Sequence, residues 1–187
     1  TIIDRPSGVN ELTLVESAIT VITGSENAQD MCKRLVHADF AQGGIKGAHL
    51  YSIDSRSTLV ELSGYGLPFA EPGTELSIWD DHPISQCVRS KRLVSNNGEQ
   101  STLVCLPFIA NGVPIGALVI VCDPGVNIPA IREDVVPLLS KIGGYFLNTS
   151  GGNLTPTANH NSGNVTLEEI TTRQIQILGL VLLQRQR

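Results

Sequence analysis

Three groups of residues have side chains of the kinds that do chemistry. The four cysteines, Cys32, Cys87, Cys105 and Cys122, offer thiols. Cys87 and Cys105 are the candidates for redox or nucleophilic work, but each lies in an apolar pattern where a small buried hydrophobe is the commoner occupant. Asp80, Asp81 and His82 set two carboxylates beside an imidazole. Three adjacent residues do not readily close a tetrahedral metal site, and no second His or Cys is spaced to join them, so capping of the following helix is the expected job. Tyr65 and Trp79 are aromatics with a polar handle, suited to an amphipathic small molecule, although a core would use either equally well. The ligand-binding candidates are therefore Tyr65 and Trp79, followed by His82, Cys87 and Cys105. The sequence offers no catalytic residue, no metal ligand set and no indication of a cofactor, and the expectation is that the domain is not an enzyme.

The elements that must position these residues are organised around Thr102–Asp123, which reads TLVCLPFIANGVPIGALVIVCD. Asn111-Gly112 between two apolar runs predicts a hairpin, because a two-residue type I′ turn needs both central residues at positive φ. Val113, Ile115, Ala117, Val119 and Val121 point one way and Leu118, Ile120 and Cys122 the other. An antiparallel sheet normally keeps one wet polar face, so something must cover each side of these strands. Helices can cover one side, and the other needs loops or a cavity closed by loops.

The flanking segments supply that cover. Leu12, Val15, Ala18, Ile19 and Ile22 recur at helical spacing over 10–23, and Ala28, Met31, Cys32, Leu35, Val36 and Phe40 do so over 25–42. Gly47–Ile53 and Thr58–Tyr65 read as strands joined by Asp54-Ser55-Arg56-Ser57. Gly66–Ser101 is less regular, with a short helix over Asp81–Ser90, where Pro83 sits in the first turn, and a short strand at Leu93–Ser95. A last helix is expected to start near Asp134, which brings Pro137 into its first turn, and to run to Asn148. Gly143-Gly144 lowers its propensity by roughly 1 kcal/mol per glycine, which implies close packing against another backbone.

The run Leu106–Leu118, LPFIANGVPIGAL, closely resembles the most recognisable signature of GAF domains: an apolar-Pro-apolar strand, an Asn/Asp-Gly turn, then apolar-Gly-x-Leu. The order of helices and strands over 10–148 is similar to that family's. The resemblance implies an α+β fold, a GAF-like twisted antiparallel sheet with the N- and C-terminal helices on one face. The crossing segment Gly66–Ser101 would close a small-molecule pocket on the other. Members of the family with thiol chemistry, the free-methionine sulfoxide reductases, need cysteines converging on the pocket, and the spacings here do not reproduce that arrangement. Nor does Cys87, followed by Val88, match the Cys-His pair of bilin-binding members, and the Asn-Lys…Phe-x-x-x-Asp-Glu constellation of cyclic-nucleotide binders is missing.

Residues 149–165 are almost all small or polar and read as a flexible linker. Within 166–187, Ile170–Leu180 (ITTRQIQILGL) resembles the opening of a LuxR-type helix-turn-helix domain, with Thr171 and Gln174 placed as a capping box. That resemblance implies a DNA-binding partner domain whose first helix alone is present here. This stretch by itself is therefore not expected to bind DNA, and its apolar face predicts pairing in a homodimer.

Composition bounds these readings. At 187 residues and 41% hydrophobic the chain can bury a sizeable core without staples. Its net charge of −5 and pI near 5.3 would repel a phosphate backbone. From Ile170 to Arg187, however, there are three arginines and no acid. No stretch reaches the roughly 18 uncharged apolar residues of a membrane span, and no Cys-x-x-Cys or signal-peptide pattern occurs, so a cytoplasmic location with reduced thiols is expected. The function these readings imply is a small-molecule-sensing regulatory domain of a DNA-binding transcriptional regulator, its ligand unidentified. The competing readings are a ligand-free dimerisation module and a thiol-based redox sensor or enzyme.

Overall fold

A computed structural model describes residues 11–38, 44–71, 73–126, 128, 131 and 133–150. All of these fall within the compact unit Thr1–Asn153. The predicted linker beyond 150 and the LuxR-like helix of 166–187 lie outside the described residues.

The central hairpin forms as its sequence dictates. Its first strand is β5 (Thr102–Ala110) and its second β6 (Val113–Cys122), and Asn111 and Gly112 turn between them at φ of 51° and 77°. The preceding hairpin pairs β1 (Ile45–Ile53) with β2 (Thr58–Gly66). Its turn is built by Asp54, whose carboxylate accepts from the amides of Arg56 and Thr58, each at 2.8 Å. With β3 (Leu76–Ser77) and β4 (Val94–Asn97), the strands make a six-stranded sheet in the order β3-β2-β1-β6-β5-β4, antiparallel throughout.

Both faces of the sheet are covered, for the reason their sequence predicts. On one face α2 (Ala28–Val36) packs on β1 and β2, α4 (Val136–Ser150) packs on β5 and β6, and α1 (Glu11–Thr23) packs on α4. The glycine pair of α4 allows this approach. A methyl group on Gly144 would run into the Ile109 backbone, and one on Gly143 into the Phe108 ring. On the opposite face α3 (Pro83–Ser90) lies over β4, β5 and β6. There Ile84, Cys87 and Val88 are buried with Tyr51, Leu59, Leu76, Cys105, Ala117 and Val119.

Several boundaries move, with identifiable causes. The second helix begins after Asn27 rather than at Ser25, because the Asn27 side chain accepts from the Asp30 amide at 2.9 Å while Asp30 accepts from the Glu26 amide at 3.1 Å. It ends at Val36, with His37 as C-cap. Phe40 lies outside the described residues. The last helix starts at Val136, two residues after Asp134, which leaves Pro137 in the first turn, where its missing N–H is harmless. Among the described residues no helix is long and apolar enough to cross a membrane.

Candidate functional site

A backbone reversal after β2 builds the site. Gly66, at φ 83°, turns the chain so that Leu67 comes to lie directly over Gly47 of β1, an approach that a Cβ at Gly47 would block. The Leu67 amide donates to the Lys46 carbonyl at 2.8 Å, and its own carbonyl receives His49 Nε2 at 2.9 Å. Across the hairpin, His49 Nδ1 lies 2.8 Å from Glu61 Oε1. Gly64, the partner of His49 in the ladder, leaves space for this pair, since a methyl group there would strike the imidazole and the Glu61 carboxylate.

The result is a recess of about 200 Å³ between the β1–β2 hairpin and the start of the crossing segment. It is lined by His49, Tyr51, Glu61, Gly64, Tyr65, Gly66, Pro68, Phe69 and Ala70. His49 is 8% exposed at its side chain and Glu61 40%. Both partners of the His49 ring are acceptors, so the ring bonds both at once only when each nitrogen carries hydrogen. The Tyr51 phenol lies beside the Glu61 carboxylate, and burial first, then that negative charge, push its pKa well up. Phe69 holds the layer together, its ring centroid 5.8 Å from that of His49, 5.6 Å from Tyr51 and 5.6 Å from His82.

The predicted site residues do not all meet here. Tyr65 lines the recess, but its side chain is directed to the helical face. Its hydroxyl is 3.2 Å from His37 Nε2, and the two rings pack edge to face at 5.5 Å. His82 reaches the recess only through Phe69. It caps α3, accepting from the Ile84 amide at Nδ1 (3.4 Å), and burial lowers its pKa against the opposing charge of Asp80. Asp80 and Asp81 are spent locally on the Ser77 amide (2.7 Å) and the Gln86 side chain (2.9 Å).

Trp79 does not enter the recess: it is 72% exposed on a turn held by Arg89, which donates to the carbonyls of Ile78 and Asp80. Cys87 and Cys105 lie beneath α3, both fully buried, with Cys87 Sγ donating to the Cys105 carbonyl at 3.2 Å. Burial pushes the Cys105 thiol up to about 12 and Cys87 higher still, so neither is a ready thiolate.

Among the described residues the crossing segment packs against the centre of the sheet through α3, and a recess lies at its start, toward β1 and β2. Residue-level reading missed His49, Glu61, Tyr51 and Phe69. One signal was present: His49 and Tyr51 sit two apart on a strand, on one face, and the return strand carries a carboxylate. Two other recesses, of about 240 and 360 Å³, flank Leu93. The larger is lined by Lys91, Arg92 and Glu133, all exposed, and the smaller by no titratable side chain, so neither gathers buried polar groups.

No protein-family model and no curated protein sequence matches the chain. Solved structures do. The GAF domain of an Acinetobacter phosphoenolpyruvate-protein phosphotransferase is 18% identical, with a TM-score of 0.57, 79% of this chain and 99% of that one being covered. The GAF domain of a Coxiella burnetii phosphoenolpyruvate-protein phosphotransferase is 15% identical with a TM-score of 0.56, over 78% and 98%. A Neisseria meningitidis free methionine-R-sulfoxide reductase, solved with its substrate, is 15% identical with a TM-score of 0.55, over 82% and 100%. The last likeness overturns the expectation that the domain is not an enzyme. That expectation rested on the lack of a recognisable catalytic residue and on cysteine spacings that do not converge, and the same fold carries a reductase. What the likenesses have in common is architecture: the described part of the chain has a GAF-like fold.

Proposed function

We propose that this domain senses a small molecule, bound in the recess between the β1–β2 hairpin and Pro68–Ala70, as the regulatory part of a DNA-binding transcriptional regulator. The observation that carries the sensing reading is the His49–Glu61 pair: two polar side chains, one of them buried, converge with Tyr51 and Phe69 on a cavity, the combination expected of a ligand site. The regulatory reading rests on the resemblance of Ile170–Leu180 to LuxR-type domains.

Strand β2 gives the recess a route to the helices. Glu61 and Gly64 line the cavity on one side, while Ser63 and Tyr65 meet α2 on the other, through Cys32 Sγ at 3.8 Å from the Ser63 carbonyl and through His37. A ligand that prefers one position of β2 shifts the population of α2 positions with it. The proposed output is a changed arrangement of a homodimer or of its DNA-binding heads.

Native mass spectrometry of freshly purified protein, with thermal shifts against a metabolite panel, tests the reading. A bound mass or a shift of several degrees supports sensing. If neither appears with any compound, the recess is a packing defect and the domain serves as a ligand-free dimerisation module.

A further inference from the structure

From Ser57 to Val88 there is no Lys or Arg, while Glu61, Glu71, Glu75, Asp80 and Asp81 lie in the same span. Those five acids equal the net charge of the whole chain, −5, so the rest of the sequence is balanced and the excess sits on β2 and the crossing segment. All five are exposed. Three basic side chains that flank the span or the β1–β2 hairpin are already committed: Arg89 to the carbonyls of Ile78 and Asp80, Lys46 to Asp123 at 3.3 Å, Arg56 to Asp54 at 3.5 Å. Of these acids Glu61 lines the recess itself, and a cavity whose wall carries charge of one sign in a segment of the same sign concentrates ions of the other.

We propose that the recess takes a small organic cation, an ammonium or amidinium carried on an apolar body; this rests on the reading of the recess as the ligand site. Glu61 lines the cavity with acceptor capacity to spare: one oxygen bonds His49 Nδ1 at 2.8 Å and the Tyr51 phenol hydrogen-bonds the same carboxylate, whereas a carboxylate offers about four acceptor positions. The two nitrogens of the His49 ring face Glu61 and the Leu67 carbonyl, so the ring presents carbon rather than polar atoms to the ligand. Tyr51 and Phe69 supply aromatic surface, which attracts cations. The volume of about 200 Å³ holds roughly seven water-sized groups. An anion would meet the Glu61 carboxylate, and a neutral molecule would gain nothing from its charge.

Three probes of nearly one shape and size, benzylamine, benzyl alcohol and benzoate, separate charge from fit. Each is titrated at neutral pH into the 15N-labelled full chain while the backbone amides of Gly64, Phe69 and Ala70 are followed by NMR. Saturable shifts at these amides are expected with benzylammonium, weakened about tenfold in Glu61→Gln, and not with benzoate. Glu71→Gln combined with Glu75→Gln, whose side chains are exposed and lie outside the recess, is expected to weaken binding at low salt and to leave it unchanged at high salt. Benzoate or benzyl alcohol saturating the same amides as tightly as benzylammonium would overturn the assignment of charge while leaving the recess a ligand site. The same holds if benzylammonium binding is indifferent to both charge variants. No shift from any probe would overturn the proposal outright.

Discussion

His49 Nδ1 lies 2.8 Å from Glu61 Oε1, and the same ring reaches the Leu67 carbonyl at 2.9 Å with its other nitrogen. One buried imidazole therefore ties β1 to β2 and also to Leu67, at the start of the crossing segment. His49→Leu keeps the volume and removes both bonds, leaving the Leu67 carbonyl without this donor. A loss of about 1–3 kcal/mol is expected, read as a lower thermal midpoint. Hydrogen exchange should also quicken at Leu67 and Phe69 while the β5–β6 amides keep their protection. Uniform quickening across both hairpins would show that His49 is a general core residue and no local tie.

Gly144→Ala sets two effects against each other. Helix propensity favours alanine by about 1 kcal/mol. The added methyl would overlap the Ile109 backbone, which cannot swing aside as a side chain can, and overpacking of this kind costs about 1–3 kcal/mol. The clash should win, and denaturant melts should show a net loss of stability. A more stable variant would mean that α4 can move off β5 at little cost.

That contact was legible in the sequence, because two adjacent glycines inside an apolar helix need a reason and close packing is the common one. The hairpin was legible too: only Asn and Gly adopt positive φ readily, and both faces of β6 are greasy. The recess was not, because it depends on register. Tyr51 comes to face Glu61 only through the irregularity between Leu50 and Tyr51, and no periodicity argument locates a bulge. Trp79 misled for a related reason. Its type suggests burial, but the turn that carries it is shaped by Ser77, Asp80 and Arg89, whose bonds are made to backbone groups.

The cysteines make a prediction about alkali. All four are buried as free thiols. Burial raises Cys122 from the ordinary 9.0 to about 11, and Cys32 and Cys105 to about 12. A folded pKa above the unfolded one means that the folded state holds its proton longer. The associated stability is whole below about pH 9 and drains away as pH climbs through 11 to 12. Thiol titration at pH 8 should find almost nothing reactive in the native protein and four thiols in denaturant, and the thermal midpoint should fall steeply above pH 9. A native thiol reacting at once at pH 8 would contradict the buried placement.

Acid should act through His82 first. Its Nδ1 accepts from the Ile84 amide, so it caps α3 only while that nitrogen is bare, and burial holds its pKa below the ordinary 6.5 in spite of Asp80. For a depressed folded pKa, the stability contributed is complete above the unfolded value and is lost as pH falls through the folded one. Asp30 and Asp54 are also held low, by the Glu26 and Thr58 amides, but from an ordinary 3.8, so their loss comes in a later, more acidic window. His82→Asn keeps a capping oxygen without a titrating ring. Stability at pH 7.5 should change by less than about 1 kcal/mol, and the decline that sets in as pH falls below the ordinary histidine value of 6.5 should flatten, while the one below the ordinary carboxylate value of 3.8 stays. If the upper decline persists in His82→Asn, another group governs it, and the cap of α3 is not what acid opens.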